Sequence, residues 1–389
     1  MPPAKRIGIV GAGIAGCSLA KVLKDKGMAV TVFEMGRGAG GRMATRKSRE
    51  IPGLAINHGA PVFSASQEDF QRMLKPLIDS GSVKRWNGTI ATLDAGSLQT
   101  SPSALGDAYV GAPDMSSVCE ALLTGVETRF QTQVAGIERQ DKEWLLRSKD
   151  EKELGRFDWL CVTSHTMGHP RWQRVFGFAP PLETLAGQHP QLSPLAEPLK
   201  DVVTTPVMVT MVTYPEAGPA ADALARLPGD ILDVASHPSI SRISRQVAGG
   251  FVSLVVHSTP DFARRFEHVY GSTSAAALLA AEKWKTEENK SNEKDVLAEL
   301  HGDALGLLLR LNASPPADSE PVFGPVLHRW GSAFAANPPG TNPPVVNEEL
   351  GLAICGDWTA APAPSSLYYG VEASAVSGLT LGRSILSKL

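Results

Sequence analysis

Cysteine is scarce. Cys17, Cys119, Cys161 and Cys355 are the only four in 389 residues. None belongs to a CxxC pair, which argues against a disulfide framework, a redox dithiol or a zinc site, and no metal is expected. Three of the four sit in apolar segments and read as buried thiols. Aromatic residues make up 6% of the chain. No stretch approaches the roughly 20 apolar residues that span a bilayer, and the longest uncharged β-like run, 202–215, is broken by threonines and Pro206. No sign of charge dominates: 37 basic and 40 acidic residues leave a formal net charge of −3. Without a basic stripe, neither a nucleic acid nor a membrane is expected as a partner. No internal repeat is present. What the chain does have is 43% hydrophobic residues, enough for a sizeable core in one or two domains. The first strand begins a few residues after Met1, so no signal or transit segment is visible and a soluble, cytoplasmic protein is expected. A plastid location would require a transit peptide already removed.

The N-terminal segment carries the clearest signal. Ile7, Ile9 and Val10 form a short apolar run suited to a buried parallel strand. Gly11, Gly13 and Gly16 follow, then an apolar helix pattern that includes Ile14 and Ala15 and ends near Lys26, with Gly27 as the stop. A second strand spans 29–33 and ends at Glu34. Gly11 permits the tight turn, Gly13 lets the backbone approach a pyrophosphate, and Gly16 lets helix and strand pack closely. The helix start offers free N–H groups and a positive dipole end. Glu34 stands 18 residues after Gly16, where a carboxylate can accept from adenosine ribose hydroxyls and would repel a 2′-phosphate. Together these residues point to a dinucleotide site.

Directly after Glu34 and Met35 comes GRGAGGRM (36–43), in which Arg37 and Arg42 frame a glycine cluster that includes Gly41 and ends at Met43. A simple NAD site needs no second phosphate-contacting loop here. This run resembles the motif that follows the Rossmann turn in the flavoprotein superfamily of monoamine oxidase, polyamine oxidase and renalase. Two further segments share the resemblance. The strands in 133–165 look like the return to the nucleotide domain, with Val134 beside the adenine. GLAICGDW (351–358) followed by a helix from about Tyr369 to Leu389 looks like the final element. The resemblance implies that Gly356 and Asp357 meet the ribityl or pyrophosphate part of FAD, and that the N–H groups of Gly370 and Val371 face the flavin.

INHGAPVF (56–63) and LHRWGSAFA (327–335) resemble segments of renalase-like proteins, and GRGAGGRM and HGAP look most like members from photosynthetic organisms. The first would bring His58, Gly59 and Ala60 beside the flavin, with Asn57 where those proteins usually carry an acid. The second would make Trp330 a substrate wall and Arg329 either a polar contact or a surface residue. His58, Trp330 and Tyr369 are therefore the candidate catalytic residues. Residues 331–350 lack the cysteine to which monoamine oxidases attach flavin, so FAD should be noncovalent. No active-site lysine can be placed.

The expected fold class is α/β: a Rossmann-like FAD-binding domain with an inserted α+β substrate domain built on a mixed sheet. The nucleotide domain is assigned to 1–65, 108–165 and 322–389, and the substrate domain to 66–107 and 166–321. TPVMVTMVTY (205–214) reads as its central strand, and the charged run 283–295 as a solvated helix end or loop. The resemblance implies hydride transfer from a small reduced donor to FAD, with reoxidation by oxygen or another acceptor. The donor would be of dihydronicotinamide type, making a nicotinamide dinucleotide a candidate partner. The alternatives are a flavin amine oxidase, in which Tyr368 and Tyr369 would form an aromatic cage, a flavoprotein without turnover, and a redox-neutral isomerase or desaturase.

Overall fold

A computed structural model of the chain describes residues 4–102, 107–271, 274–336, 345–359 and 367–389. The expected surface loop at 337–344 and the turn with Ala361, Pro362 and Pro364 lie outside the described residues. Among the described residues no helix is long and apolar enough to cross a membrane.

The first two strands form where the sequence places them, Arg6–Val10 and Ala29–Phe33, pairing in parallel with Ile7 opposite Val30. They belong to a six-stranded sheet that also holds Glu127–Arg129, Trp159–Val162, Leu352–Ile354 and Val345–Asn347. All neighbours are parallel except the last pair. Alternation along these strands divides side chains between two apolar layers. Ile7, Ile9, Cys161 and Ala353 face the layer that holds the helices Ile14–Asp25 and Leu367–Leu386. Phe33, Leu160, Val162, Leu352 and Ile354 face the other. Each such side chain, fully buried, contributes roughly 1.5–3 kcal/mol. That is why strands covered on both faces read as continuous apolar runs.

The second sheet has seven strands in the order Phe323–Ala335, Thr204–Pro215, Phe251–Ser258, Ile240–Ala248, Ile231–Val234, Thr89–Asp94, Ser97–Pro102. It is antiparallel except where 231–234 runs parallel to 89–94. Strand 204–215 is not the central one but lies next to the edge. Its period-2 alternation separates two cores rather than core from water: Met208 and Val212 pack with the helix Glu287–Arg310, while Val207, Val209 and Met211 pack with Leu54 and Ile56.

Three expectations about organisation need correction. Strand 323–335 pairs with 204–215, so it belongs to the seven-stranded sheet and the last nucleotide-side piece begins beyond it. Phe70, Leu74 and Leu77 of the helix Glu68–Asp79 pack in the core of the six-stranded sheet, because their spacing puts one apolar stripe toward the C-terminal helix. Trp172, Leu182 and Leu195 likewise cover the other face of that sheet, so 166–200 is not part of the substrate sheet. Of the two readings of the charged run 283–295, the solvated helix end is the one that forms, as the start of the helix Glu287–Arg310. Thr286 caps it by accepting from the Asn289 N–H at 3.1 Å, and Glu287 and Glu288 suit its positive end.

The C-terminal helix lies so close to helix 14–25 that a Cβ on Gly378 would stand 2.1 Å from the Ala15 carbonyl oxygen. Gly378→Val should therefore cost about 1–3 kcal/mol by overpacking. Calorimetry should show a lower thermal midpoint, and an unchanged midpoint would contradict this packing.

Candidate functional site

Four turns meet along one edge of the six-stranded sheet. Gly11 to Gly13 follow strand 6–10, Glu34 follows 29–33, Thr163 to His165 follow 159–162, and Gly356 and Asp357 follow shortly after 352–354. These are the carboxyl ends of four neighbouring parallel strands, where open α/β sheets form ligand crevices. A cleft of about 820 Å³ begins there and extends to the edge strand of the second sheet.

The glycine turn is fixed by close approach. Gly11 adopts φ +110°, and a Cβ there would stand 2.4 Å from Thr163 Oγ1, which itself donates to Val10 O at 3.0 Å. A Cβ on Gly16 would meet the Gly11 carbonyl oxygen at 2.0 Å. Gly13 differs: nothing stands nearer than Gly41 Cα at 4.0 Å, so the space over it opens toward the cleft. The second loop docks on the first through the Gly40 N–H donating to Ala12 O at 2.8 Å. Glu34 joins the two, accepting from the Ala12 N–H at 2.9 Å and the Gly36 N–H at 2.6 Å. Burial raises its pKa and outweighs those two bonds. Each carboxylate oxygen retains a further lone pair.

Arg42 and Asp357 form a two-pronged ion pair at 2.5 and 2.6 Å. Arg42 also donates to Ala333 O at 2.9 Å, and its carbonyl accepts from the Ala60 N–H at 2.9 Å. Burial alone would raise the pKa of Asp357, but the guanidinium outweighs it and holds the carboxyl below its ordinary range. The sequence framed Arg37 and Arg42 as two like phosphate contacts. The structure separates them: Arg37 is exposed at the rim, while Arg42 is committed largely to Asp357 and the edge strand.

At the second sheet, Trp330 stacks on His58, with ring centroids 5.2 Å apart and an interplanar angle of 17°. It donates its indole N–H to His58 O at 3.0 Å. His328 meets both rings edge-on. Burial, the leading cause in each case, pushes His58 down to about 4, His165 to about 4 and His257 to about 3. All three are neutral near pH 7. Arg329 is buried, 7% exposed, which excludes the surface reading. Asn57 accepts from Thr45 Oγ1 at 2.8 Å and the Met115 N–H at 3.1 Å and so braces a loop.

The cleft brings together Gly11, Gly13, Ile14, Ala15, Glu34, Met35, Arg37, Gly41, Arg42, Met43, His58, Ala60, Val134, Trp330, Gly356, Asp357, Gly370 and Val371. Gly16 and Gly59 do not line it. Both serve close packing, and a Cβ on Gly59 would stand 1.9 Å from Arg42 O. The side chain of Tyr369 lies outside the described residues. Sequence reasoning missed Thr163 and Ser164, Arg171, Tyr270 and His328 as lining residues. The first group carried a usable signal, since it directly follows a parallel strand. Arg171 and Tyr270 stand in segments without a motif.

Residues 9–77 match a family model described as an NAD(P)-binding Rossmann-like domain. A sequence relative, the tRNA 5-methylaminomethyl-2-thiouridine biosynthesis bifunctional protein of Magnetococcus marinus, is 24% identical over 200 residues, covering 42% of this chain and 30% of that protein. The aligned part is thus less than a third of that relative's length. Among solved structures, a candidate protoporphyrinogen oxidase from Exiguobacterium superposes with a TM-score of 0.62 at 14% identity over 100% of both chains. An oxidoreductase from Methanosarcina mazei gives 0.59 at 13% identity, over 98% of this chain and 100% of that one. A putrescine oxidase redesigned in its cofactor binding gives 0.58 at 13% over 99% of each. At these identities the likeness is one of fold: a mixed α/β chain with a Rossmann-like nucleotide-binding domain.

Two outcomes follow from the geometry. Asp357→Asn leaves Arg42 without its counter-charge. Because the Arg42 side chain is 33% exposed, the cost should be about 1–3 kcal/mol, below that of a fully buried pair, and urea unfolding at pH 7 should show it. The buried histidines set an acid response. Unfolded histidine protonates near pH 6.5, whereas His58, His165 and His257 do so only near 3–4 in the fold. Their neutral forms cost the fold nothing above pH 6.5. As pH falls from there toward 4, stability should drop by up to about 1.4 kcal/mol per unit for each histidine. Urea midpoints should fall between pH 7 and 5, less steeply in His257→Leu. Midpoints that stay level over that range would contradict it.

Proposed function

We propose that the chain is an FAD-dependent oxidoreductase of the renalase-like kind, which takes a hydride from a small reduced donor of dihydronicotinamide type onto noncovalent flavin. Oxygen or another acceptor completes the cycle. The continuity of the cleft carries this reading: one space runs from the Gly11–Gly13 turn and Glu34, past the Arg42–Asp357 pair and Gly370, to His58 and Trp330. A simple mononucleotide would leave much of that length empty.

The residues present fit FAD. The open space over Gly13 suits a pyrophosphate, which would face the N–H groups at the start of helix 14–25. The free lone pairs of Glu34 suit ribose hydroxyls, and its charge disfavours a 2′-phosphate. Gln133, on the cleft wall beside Val134, has a buried amide nitrogen without an acceptor among the described residues, which suits a polar edge of a bound base. Gly370 and Val371 stand in the first turn of the C-terminal helix, whose positive end favours an electron-rich ring. Bound there, FAD would supply the hydride-accepting chemistry. The chain's part is to hold the donor against it: Trp330, its plane fixed by His58, walls the far side. No acid or base is required for hydride transfer, in keeping with the neutral histidines.

An amine donor fits less well. Lys47, the lysine on the cleft wall, is engaged by Asp114 at 3.2 Å and Glu120 at 3.1 Å, and Arg171 and Arg329 at the far end would repel an ammonium group.

Mixing the flavin-loaded protein anaerobically with NADH, NADPH, their dihydro isomers and a panel of amines discriminates these readings. Bleaching of the flavin band near ~450 nm by a dihydronicotinamide is the expected result. Bleaching by amines alone would make it an amine oxidase, and bleaching by nothing would sink the turnover claim. Glu34→Ala and Gly13→Val should both lower flavin content, and acid precipitation should leave no colour in the pellet.

A further inference from the structure

Beyond Trp330 the cleft reaches a second cluster. Strand 323–335 is the edge of its sheet, and the cleft lining includes residues of both its faces: His328 and Trp330 alternate with Arg329 and Gly331. Arg329 is 7% exposed. It donates one guanidinium N–H to Val269 O at 3.2 Å, its Nε has no acceptor among the described residues, and its Cζ stands 4.4 Å from the centre of the Tyr270 ring. The Arg171 guanidinium stands 5.9 Å from the same ring. It also lies over Gly331, where a Cβ would come within 1.7 Å of Arg171 Nη2. Glycine at 331 leaves the space that the Arg171 guanidinium occupies beside the edge strand.

Two guanidinium groups therefore share one tyrosine in a largely dehydrated corner. Burial is the main cause of the lowered pKa of each; Arg174 further lowers Arg171, and Arg171 further lowers Arg329, which falls to about 10. Both stay charged at neutral pH. Tyr270 and the exposed Glu267 pull the other way, but among the described residues neither arginine has a carboxylate within ion-pair distance. Buried charges are normally paired, because desolvation of an ion is costly. A ring face offsets that only in part. The guanidinium fork is also the side chain best shaped to grip an oxyanion through two parallel bonds.

We infer that Arg171, Arg329 and Tyr270 form an oxyanion subsite that takes a carboxylate or phosphate group of the substrate. In calling the ligand the substrate, this rests on the oxidoreductase reading above. The subsite fixes one end of the molecule while the reacting part lies at Trp330. Discrimination against cationic amines is a consequence of the same two charges.

The test is isothermal titration calorimetry of the purified protein, with flavin content measured on the same sample, using benzoate, inorganic phosphate and benzylamine as probes. Benzoate or phosphate should bind and benzylamine should not. Stronger binding of benzoate identifies a carboxylate group, and stronger binding of phosphate a phosphate ester. Arg171→Met and Arg329→Met should each weaken the bound anion at least tenfold at unchanged flavin content. Tyr270→Phe, which removes only a hydroxyl, should weaken it several-fold and serves if an arginine variant does not fold. No anion binding to the unaltered protein would overturn the subsite, as would binding that is equal in all folded variants. The two readings fail separately: protein without flavin that still binds the anion would remove the FAD reading and leave the subsite, and yellow protein that binds no anion would do the reverse.

Discussion

Arg42 is the point where the parts of this chain are tied together. Its guanidinium grips Asp357, 315 residues away, with two short bonds and donates to Ala333 on the edge strand of the second sheet. Its own carbonyl receives the Ala60 N–H. One residue thus links the glycine loop, the segment that carries His58, the seven-stranded sheet and the last parallel strand. The arrangement holds because the charges are matched in a site that is only partly solvated. The carboxylate stays ionised against burial because the guanidinium is there. Everything that lines the cleft is positioned relative to this pair.

The nucleotide end of the cleft was legible in the sequence because its physics is local. Gly11, Gly13, Gly16 and Glu34 act through a tight turn, an open approach, a close helix contact and a strand end. Each leaves its mark at a fixed spacing within one strand–helix–strand unit. The pairing of Arg42 with Asp357 was not legible. Both residues were singled out, but no periodicity connects positions so distant, and each alone reads as a cofactor contact. The same reason hid Arg171 and Tyr270, which are about 100 positions apart and meet only in the folded chain.

Periodicity misled where both sides of an element are covered. In 204–215 the alternation is real, yet Met208 and Val209 point into two different cores. In 283–295 charge density left a solvated helix end and a loop both open; the capping threonine and the acidic first turn decide for the helix, which runs 24 residues. The cover of the first sheet was hard to read for a related reason. Phe70, Leu74 and Trp172 are apolar residues in stretches that look like inserts, and they cover the faces of the first sheet.

The chain order of the Arg42–Asp357 pair has a consequence for synthesis. Translation proceeds at roughly 5–20 residues per second, so the 315 residues between the two take about 15–60 s to appear. During that time strands 6–10 and 29–33 have neither the strand at 352–354 nor the C-terminal helix to cover Ile9, Leu19 and Cys17. Until residues 352–386 emerge, that apolar surface stays uncovered and the nucleotide cleft lacks Asp357, Gly370 and Val371.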